Sequence, residues 1–207
     1  MRRLLERAAR LDVPAKCCRA LDVGCGVGRH ARPLAREFGG YLGLDVSAPM
    51  VERAVRLHAE TPGASFRVGD AVALDDLPAQ AFDLVQCWLV LIHLPDRQAV
   101  LEAVGGLGRA LAPGGLLAFQ FVTAVAPRNR LRGRRRVYRA LRRLGMPAKT
   151  LVGRMGLNPI RMTAVGAREV EEGLREEGLS VLEIEDSESL GSGISSRVLY
   201  ATRTAYP

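Results

Sequence analysis

The chain alternates short apolar runs with stretches in which apolar residues recur every three or four positions. The short runs predict β-strands, and the recurrence at helical spacing predicts amphipathic helices. We expect strands that end near Val23, Asp45, Val68 and Cys87, and a nearly all-apolar strand over Leu116–Val122. Such a run is typical of a parallel sheet that is covered by helices on both faces.

Helices fill the intervals between the predicted strands. Their expected ranges are Met1–Leu11, Val27–Phe38, Ala48–Glu60 and Asp96–Leu111. An irregular link through Pro14 would follow the first of them. This alternation predicts an α/β domain with an open, mostly parallel, doubly wound sheet.

The first predicted strand leads into a turn with glycines two apart, at Gly24, Gly26 and Gly28. Glycine lets the backbone approach a nucleotide-like ligand, because a Cβ atom would block it. The next helix would offer its N-terminal N–H groups to an anionic group. A dinucleotide is disfavoured, because Arg29 occupies the position where that fingerprint needs glycine. Asp22, just before the turn, would repel a pyrophosphate but could pair with an ammonium group.

Two later strands also end in a carboxylate. Asp45 lies 17 residues after Gly28, where it could accept hydrogen bonds from two ribose hydroxyls. Asp70 could accept from the exocyclic amine of adenine, while the N–H of Ala71 meets the ring. A single aspartate after a strand is often only a helix cap or a turn former. Three such strand ends in order favour a nucleoside ligand that carries an amino-acid end.

Together these stretches resemble the first three motifs of the class I S-adenosylmethionine-dependent methyltransferases. The resemblance implies a Rossmann-like sheet of seven strands in the order 3-2-1-4-5-7-6, with strand 7 antiparallel. It implies a last helix over Gly166–Glu177, strand 6 over Leu179–Glu185 and strand 7 over Arg197–Thr204. We therefore predict one methyltransferase domain over residues 1–207.

The same resemblance implies S-adenosyl-L-methionine as the cofactor and S-adenosyl-L-homocysteine as the product. The glycine turn would hold the methionine end. The expected cofactor-binding residues are Asp22, Gly24, Cys25, Gly26, Gly28, Arg29, Asp45, Val46, Met50, Gly69, Asp70, Ala71, Gln86, Cys87 and Trp88. His30 could border the cofactor from the start of its helix, and His58 is expected at the surface.

The segment after the fourth strand would face the transferred methyl group. Methyl transfer is an in-line displacement, so the protein mainly aligns a nucleophile and excludes water. Trp88 could wall the adenine or the acceptor, or could belong to the core. His93 is the candidate general base for a hydroxyl acceptor. Alternatively, it bonds to backbone and holds the loop.

The net charge of +8 is concentrated in one place, because nine arginines and no acidic residue lie between Arg128 and Arg143. A thin apolar stripe accompanies them, formed by Leu131, Tyr138, Leu141 and Leu144. The whole interval Thr123–Val165 is long for a connection, which favours a functional role. We expect it to be a basic lid inserted after strand 5, with Arg135 and Tyr138 as substrate-side candidates.

We predict a methyltransferase that acts on a small molecule, with an anionic acceptor or a specialised metabolite as candidates. One alternative acceptor is RNA or another macromolecule that docks on Arg128–Arg143. An anionic membrane face could also bind that segment. A third alternative is a domain that binds the cofactor without transferring a methyl group. The type of atom methylated and the oligomeric state stay open.

Four further expectations come from the bulk of the sequence. No apolar run reaches the length of a membrane span, and the charged residues among the first seven break any secretory apolar segment. The four cysteines lack metal-ligand spacing, so no metal site is predicted. Taken together, these features favour a cytoplasmic protein.

Overall fold

A computed structural model describes residues 19–126, 132–147, 162–187 and 193–204, together with seven isolated residues, Leu4, Glu6, Thr150, Leu151, Met155, Leu157 and Leu190. In the second range the side chains are described from Arg136 onward. The strands are β1 Ala20–Val23, β2 Tyr41–Asp45, β3 Ala64–Val68, β4 Phe82–Cys87, β5 Leu111–Val125, β6 Leu179–Ser187 and β7 Ile194–Arg203. The helices are α1 Ala31–Phe38, α2 Ala48–Leu57, α3 Arg97–Ala110, α4 Arg132–Arg143 and α5 Ala167–Glu176, with a 3₁₀ turn at Leu91–His93.

The seven strands form one sheet in the order β3-β2-β1-β4-β5-β7-β6. The first five strands pair in parallel, and β7 pairs antiparallel with both β5 and β6. The predicted strand order and the antiparallel seventh strand are therefore confirmed. The order reverses between β1 and β4, and ligands of open α/β sheets bind at such a point, beyond the carboxyl ends of the strands.

Both faces of the sheet are covered at its centre, which explains why the central strands β1, β4 and β5 are mostly apolar and buried. On one face Val85 and Leu117 pack in a buried cluster with residues of α3 and α5. The alternate positions, such as Leu84 and Leu116, pack in a second cluster with α1. Leu4 is buried in this second cluster, whereas the rest of the predicted Met1–Leu11 helix, apart from Glu6, lies outside the described residues.

Several predicted boundaries need correction. The fifth strand begins at Leu111 rather than Leu116, because Pro113 and the two glycines after it form an irregularity within the strand. It also continues to Val125, which pairs with Ile194. Residues 123–125 therefore belong to the sheet and not to an inserted lid. Likewise β7 begins at Ile194, three residues before its predicted start.

The first helix begins at Ala31 rather than Val27, because the glycine turn occupies residues 24–30. The second helix ends at Leu57, earlier than predicted. None of the helices within the described ranges is both long and apolar enough to cross a membrane.

Two glycines of the turn provide a matched test of its packing. Gly24 and Gly26 both have a positive φ, +78° and +55°. A Cβ atom on Gly24 would lie 1.9 Å from Cγ2 of Val90, whereas a Cβ on Gly26 meets no described atom within 4 Å. We expect Gly26→Ala to cost about 1 kcal/mol of unfolding free energy from its backbone conformation. Gly24→Ala should cost about 1–3 kcal/mol more because it also overpacks the turn.

Urea denaturation of the two variants measures this difference. The double variant Gly24→Ala/Val90→Ala should recover part of the loss, because it removes the methyl group that clashes. Equal losses for the two single variants would show that backbone conformation alone requires glycine at both positions.

Candidate cofactor site

A cavity of about 750 Å³ lies at the reversal of strand order, where the carboxyl ends of β1 to β4 meet. Twelve of the fifteen predicted cofactor-binding residues line it. They are Asp22, Gly24, Cys25, Gly26, Arg29, Asp45, Val46, Met50, Gly69, Asp70, Ala71 and Trp88. His30 and His93 line it as well, so residues far apart in the sequence meet around one cavity.

The glycine turn is tied to the end of β2. The N–H groups of Gly24 and Cys25 both donate to the Leu44 carbonyl, at 2.7 and 2.9 Å. One carboxylate oxygen of Asp45 accepts from the Gly26 N–H at 2.8 Å, and the other accepts from the Ser47 N–H at 2.9 Å. Because each carboxylate oxygen can accept more than one hydrogen bond, Asp45 retains the capacity to accept from a ligand hydroxyl.

Gly28 has a different role from the one predicted. It does not line the cavity, and a side chain at this position would point toward β3 and the residue that follows α2. A Cβ atom there would lie 2.8 Å from the Phe66 ring and 3.0 Å from His58. The expectation that His58 is a surface residue is also wrong. It is half-buried, its Nε2 lies 3.3 Å from the Val27 carbonyl oxygen, and its ring packs against Phe66.

Asp22 is the most buried of the charged residues that line the cavity and is only 3% exposed. The Tyr41 hydroxyl donates to its Oδ2 at 2.9 Å, and Nδ1 of His30 lies 3.6 Å from the same oxygen. Burial, reinforced by the Asp22 charge, raises the pKa of Tyr41, so the hydroxyl stays protonated and donates. A buried carboxylate with so few partners suits a cationic group of a ligand.

The two described cysteines carry no thiolate chemistry. Burial raises the pKa of Cys25 to about 12, with further contributions from the charges of Asp22 and Asp45. Burial also raises the pKa of Cys87 above its ordinary value, with Asp22 adding to the effect. Both thiols are therefore protonated near neutral pH and cannot act as nucleophiles.

Gln86 and Cys87 do not line the cavity, although contact with the cofactor was predicted for both. Each is fully buried, because β4 is a central strand covered on both faces. Gln86 lies behind the wall instead and bonds to two residues that do line it. Its Nε2 is 2.8 Å from Nδ1 of His30, and its Oε1 accepts from Nε1 of Trp88 at 3.0 Å.

The segment after β4 forms the other wall. Leu89 is 46% exposed and has a φ of +61°, an uncommon conformation for a residue with a side chain. Such strain is often held at ligand sites. Sequence reasoning missed Leu89 and Val90 as lining residues, because the run from Trp88 to Ile92 has no break in its apolar pattern. Val46 and Met50 add two more exposed apolar side chains to the cavity.

His93 is exposed at the end of the 3₁₀ turn and lines the cavity. Its backbone N–H donates to the Val90 carbonyl at 2.8 Å, but its ring bonds to no residue within the described ranges. Thr163 holds the loop instead, through its hydroxyl to the Leu94 carbonyl at 2.7 Å. The alternative in which the His93 ring holds the loop therefore has no support in these contacts.

Asp70 is exposed at the end of β3. Its Oδ1 accepts from the Val72 N–H at 3.2 Å, so it stabilises its own turn. It also lines the cavity, and Gly69 and Ala71 do so on either side of it. The structural role and the ligand-facing position are compatible, because the carboxylate retains further acceptor capacity.

The basic helix α4 lies outside this wall. No described side chain of α4 lines the cavity, so Tyr138 does not contact it as predicted, and the Arg135 side chain lies outside the described residues. The predicted apolar stripe is only partly covered: Tyr138 and Leu141 are half-buried, but Leu144 is 79% exposed. Leu131 lies outside the described residues.

Comparison with known proteins agrees with this geometry. Residues 20–115 match the family model described as a methyltransferase domain. Over 98 residues the chain is 38% identical to the 2-methyl-6-phytyl-1,4-hydroquinone methyltransferase of Synechocystis, a match that covers 47% of this chain and 30% of that protein. The chain thus spans less than half of the length of that relative.

Two solved structures share the fold along nearly the whole chain. The magnesium protoporphyrin IX methyltransferase of Synechocystis with bound S-adenosylhomocysteine superposes with a TM-score of 0.61 at 22% identity, covering 98% of this chain and 82% of that one. The 4+2 cyclase SpnF superposes with a TM-score of 0.66 at 21% identity, covering 99% and 82%.

The sheet order defines a Rossmann-like fold, with a cavity at the reversal of the strand order. The methyltransferase-domain match includes the glycine turn and all three strand-end acids. In this region and in its fold, the chain is similar to the class I S-adenosylmethionine-dependent methyltransferases.

Proposed function

We propose that the protein binds S-adenosylmethionine in this cavity and transfers its methyl group to a small-molecule acceptor. The observation that carries the proposal is the placement of three carboxylates, Asp22, Asp45 and Asp70, along one cavity. Each matches one part of the cofactor: the ammonium group, the ribose hydroxyls and the exocyclic amine of adenine. The magnesium protoporphyrin IX methyltransferase of Synechocystis, which shares the fold, has S-adenosylhomocysteine bound, and this supports the class of ligand proposed here.

The exposed apolar side chains of the cavity support the binding of an adenine ring. Val46 is 71% exposed, and Met50 and Leu89 are each almost half exposed. Apolar surface that a ligand removes from water stabilises the complex by roughly 25 cal/mol per Å². These side chains therefore contribute to affinity, while the carboxylates fix the orientation.

The cofactor supplies an electrophilic methyl group on a sulfonium, and the chain's residues place the acceptor. Three residues of the segment after β4 line the cavity: Trp88, His93 and Leu94. A hydroxyl acceptor there can lose its proton to the exposed ring of His93, whereas a neutral amine needs only alignment. The hydroquinone methyltransferase among the relatives acts, by its name, on a substrate that carries hydroxyl groups.

A second candidate function is cofactor binding without methyl transfer. The fold is shared with the cyclase SpnF, and function depends on the site that a fold carries rather than on the fold. The two functions differ in whether the cavity also binds an acceptor and aligns it with the methyl group. A turnover assay with S-adenosylmethionine and hydroxylated small molecules separates them, because only the methyltransferase releases S-adenosylhomocysteine.

Asp45→Asn tests the cofactor assignment. The change removes the charge that accepts from the Gly26 N–H and that would accept from ribose. We expect the affinity for S-adenosylhomocysteine to fall about tenfold or more, as for loss of a charged acceptor worth about 1.5–3 kcal/mol. Isothermal titration calorimetry measures it. Asp76→Asn is the matched control, because Asp76 pairs with Arg67 and does not line the cavity; an equal loss in both variants would refute the assignment.

His93→Ala tests the acceptor chemistry. The ring has no partner among the described residues, so the melting temperature and the affinity for S-adenosylhomocysteine should stay unchanged. With a hydroxyl acceptor, removal of the base should lower kcat by about 10²–10⁴-fold. A drop smaller than about tenfold for the acceptor that supports turnover would show that His93 is not a base.

Replacing the exposed arginines of α4 tests whether the acceptor is a small molecule or a macromolecule. Arg136, Arg139 and Arg143 are exposed, so replacing all three by serine should leave the melting temperature within about 1–2 °C. For a small anionic acceptor, KM should rise while kcat is kept, because the lost charges attract the acceptor but do not position it for transfer.

A second triple variant, Arg53→Ser/Arg56→Ser/Arg168→Ser, controls for the general effect of losing three positive charges. Its residues are exposed on α2 and α5. This variant should not change KM. Tight binding of a labelled RNA that falls steeply with salt and is lost only in the α4 variant would instead favour a macromolecular acceptor.

A further inference from the structure

A short chain of hydrogen bonds runs behind the cavity wall from Trp88 through Gln86 to His30. The indole Nε1–H of Trp88 donates to Oε1 of Gln86 at 3.0 Å. On the other side, Nε2 of Gln86 lies 2.8 Å from Nδ1 of His30. Gln86 is fully buried, whereas Trp88 and His30 both line the cavity.

The chemistry of these groups fixes the direction of every bond. An indole N–H is only a donor, so the atom of Gln86 that faces it must be the carbonyl oxygen. The amide NH₂ of Gln86 therefore faces His30, and it too can only donate. Nδ1 of His30 must then accept, which makes His30 a neutral imidazole with its proton on Nε2.

This tautomer gives His30 an Nε2–H group that can donate a hydrogen bond to a ligand. Its side chain is 35% exposed, and Nε2 bonds to no residue within the described ranges. Nδ1 lies 3.6 Å from the buried carboxylate of Asp22. A ligand ammonium group that pairs with Asp22 therefore brings the neighbouring carboxylate of the same amino acid within a few ångströms of the His30 ring.

We propose that Trp88 and Gln86 hold His30 as the Nε2–H tautomer, so that His30 donates a hydrogen bond to the carboxylate of the cofactor's amino-acid end. This rests on the proposed function, because it takes S-adenosylmethionine as the ligand. His30 is then a positioning residue, and Gln86 and Trp88 act through it. Holding His30 neutral also keeps it from pairing with Asp22, which stays available for the ammonium group.

Arg29 is the other donor on this wall, and its exposed guanidinium can attract the same carboxylate. The two contributions differ in their response to salt. Attraction by an exposed cation is screened by salt, whereas a hydrogen bond from a neutral, partly buried ring is not. The His30 contribution should therefore persist at high ionic strength.

The chain of hydrogen bonds from Trp88 to His30 is tested first in the protein without ligand. Long-range ¹H–¹⁵N correlation spectra report which ring nitrogen of each histidine carries the proton, and His30→Gln assigns the signals among the three histidines of the chain. We expect His30 to be protonated on Nε2 alone. Gln86→Met removes the donor to Nδ1 and should give a mixture of tautomers. A protonated Nδ1 in the wild type would overturn the proposal.

The contact with the ligand is tested by two ligands that differ only at the amino-acid end. His30→Leu should weaken S-adenosylhomocysteine about tenfold at 0.5 M salt, as expected for one charge-assisted hydrogen bond. Binding of 5′-methylthioadenosine, which lacks the carboxylate and the ammonium group, should not change. His30→Gln keeps an N–H donor and should restore most of the loss.

Equal weakening of both ligands would show a merely structural role, and an unchanged affinity for S-adenosylhomocysteine would show no contact; either result overturns the proposal. Failure of the wild type to bind S-adenosylhomocysteine would instead contradict the proposed function. The tautomer measurement distinguishes these cases, because it needs no ligand.

Discussion

The attachment of the glycine turn to the end of β2 is the constraint on which the site depends. The Leu44 carbonyl and the Asp45 carboxylate together accept three consecutive N–H groups, those of Gly24, Cys25 and Gly26. These bonds fix a glycine-rich backbone that would otherwise be free to rearrange, because glycine has no side chain to restrict it. Since the turn connects β1 to α1, the same bonds also set where α1 begins and where His30 stands.

Under the proposed function, this constraint gives Asp45 two roles. It accepts a hydrogen bond from the turn, and it would also accept from the ribose hydroxyls. Binding of the ribose would then be coupled to the order of the turn. The Gln86–His30 contact would extend this coupling to β4.

Much of the fold and most of the cavity wall follow from local patterns in the sequence. Short apolar runs, a glycine turn and three strand-end acids are local signals, and each predicted its place in the sheet. The errors arose where tertiary packing decides. Gly28 is needed by Phe66 and His58 rather than by a ligand, and nothing local distinguishes it from Gly26. The role of Gln86 likewise depends on its contacts with His30, just before α1, and with Trp88, just after β4.

The acceptor-binding part of the cavity is harder to predict from the sequence than the cofactor-binding part, because acceptor pockets are built from loops rather than from repeated motifs. His93 stands at the cavity with an unbonded ring in the described part of the chain, while the basic helix stands apart from the cavity wall. Under the proposed function, the arginines would therefore affect the approach of the acceptor more than methyl transfer itself.

A crystal structure of the protein with S-adenosylhomocysteine would show whether the three carboxylates hold the cofactor. We predict the ribose hydroxyls within hydrogen-bond distance of the Asp45 carboxylate, the adenine beside Asp70, and the ammonium group beside Asp22. The prediction also places the sulfur on the side of the cavity that His93 lines. A nucleoside bound away from Asp45, or bound in the opposite direction with its amino-acid end at Asp70, would contradict it.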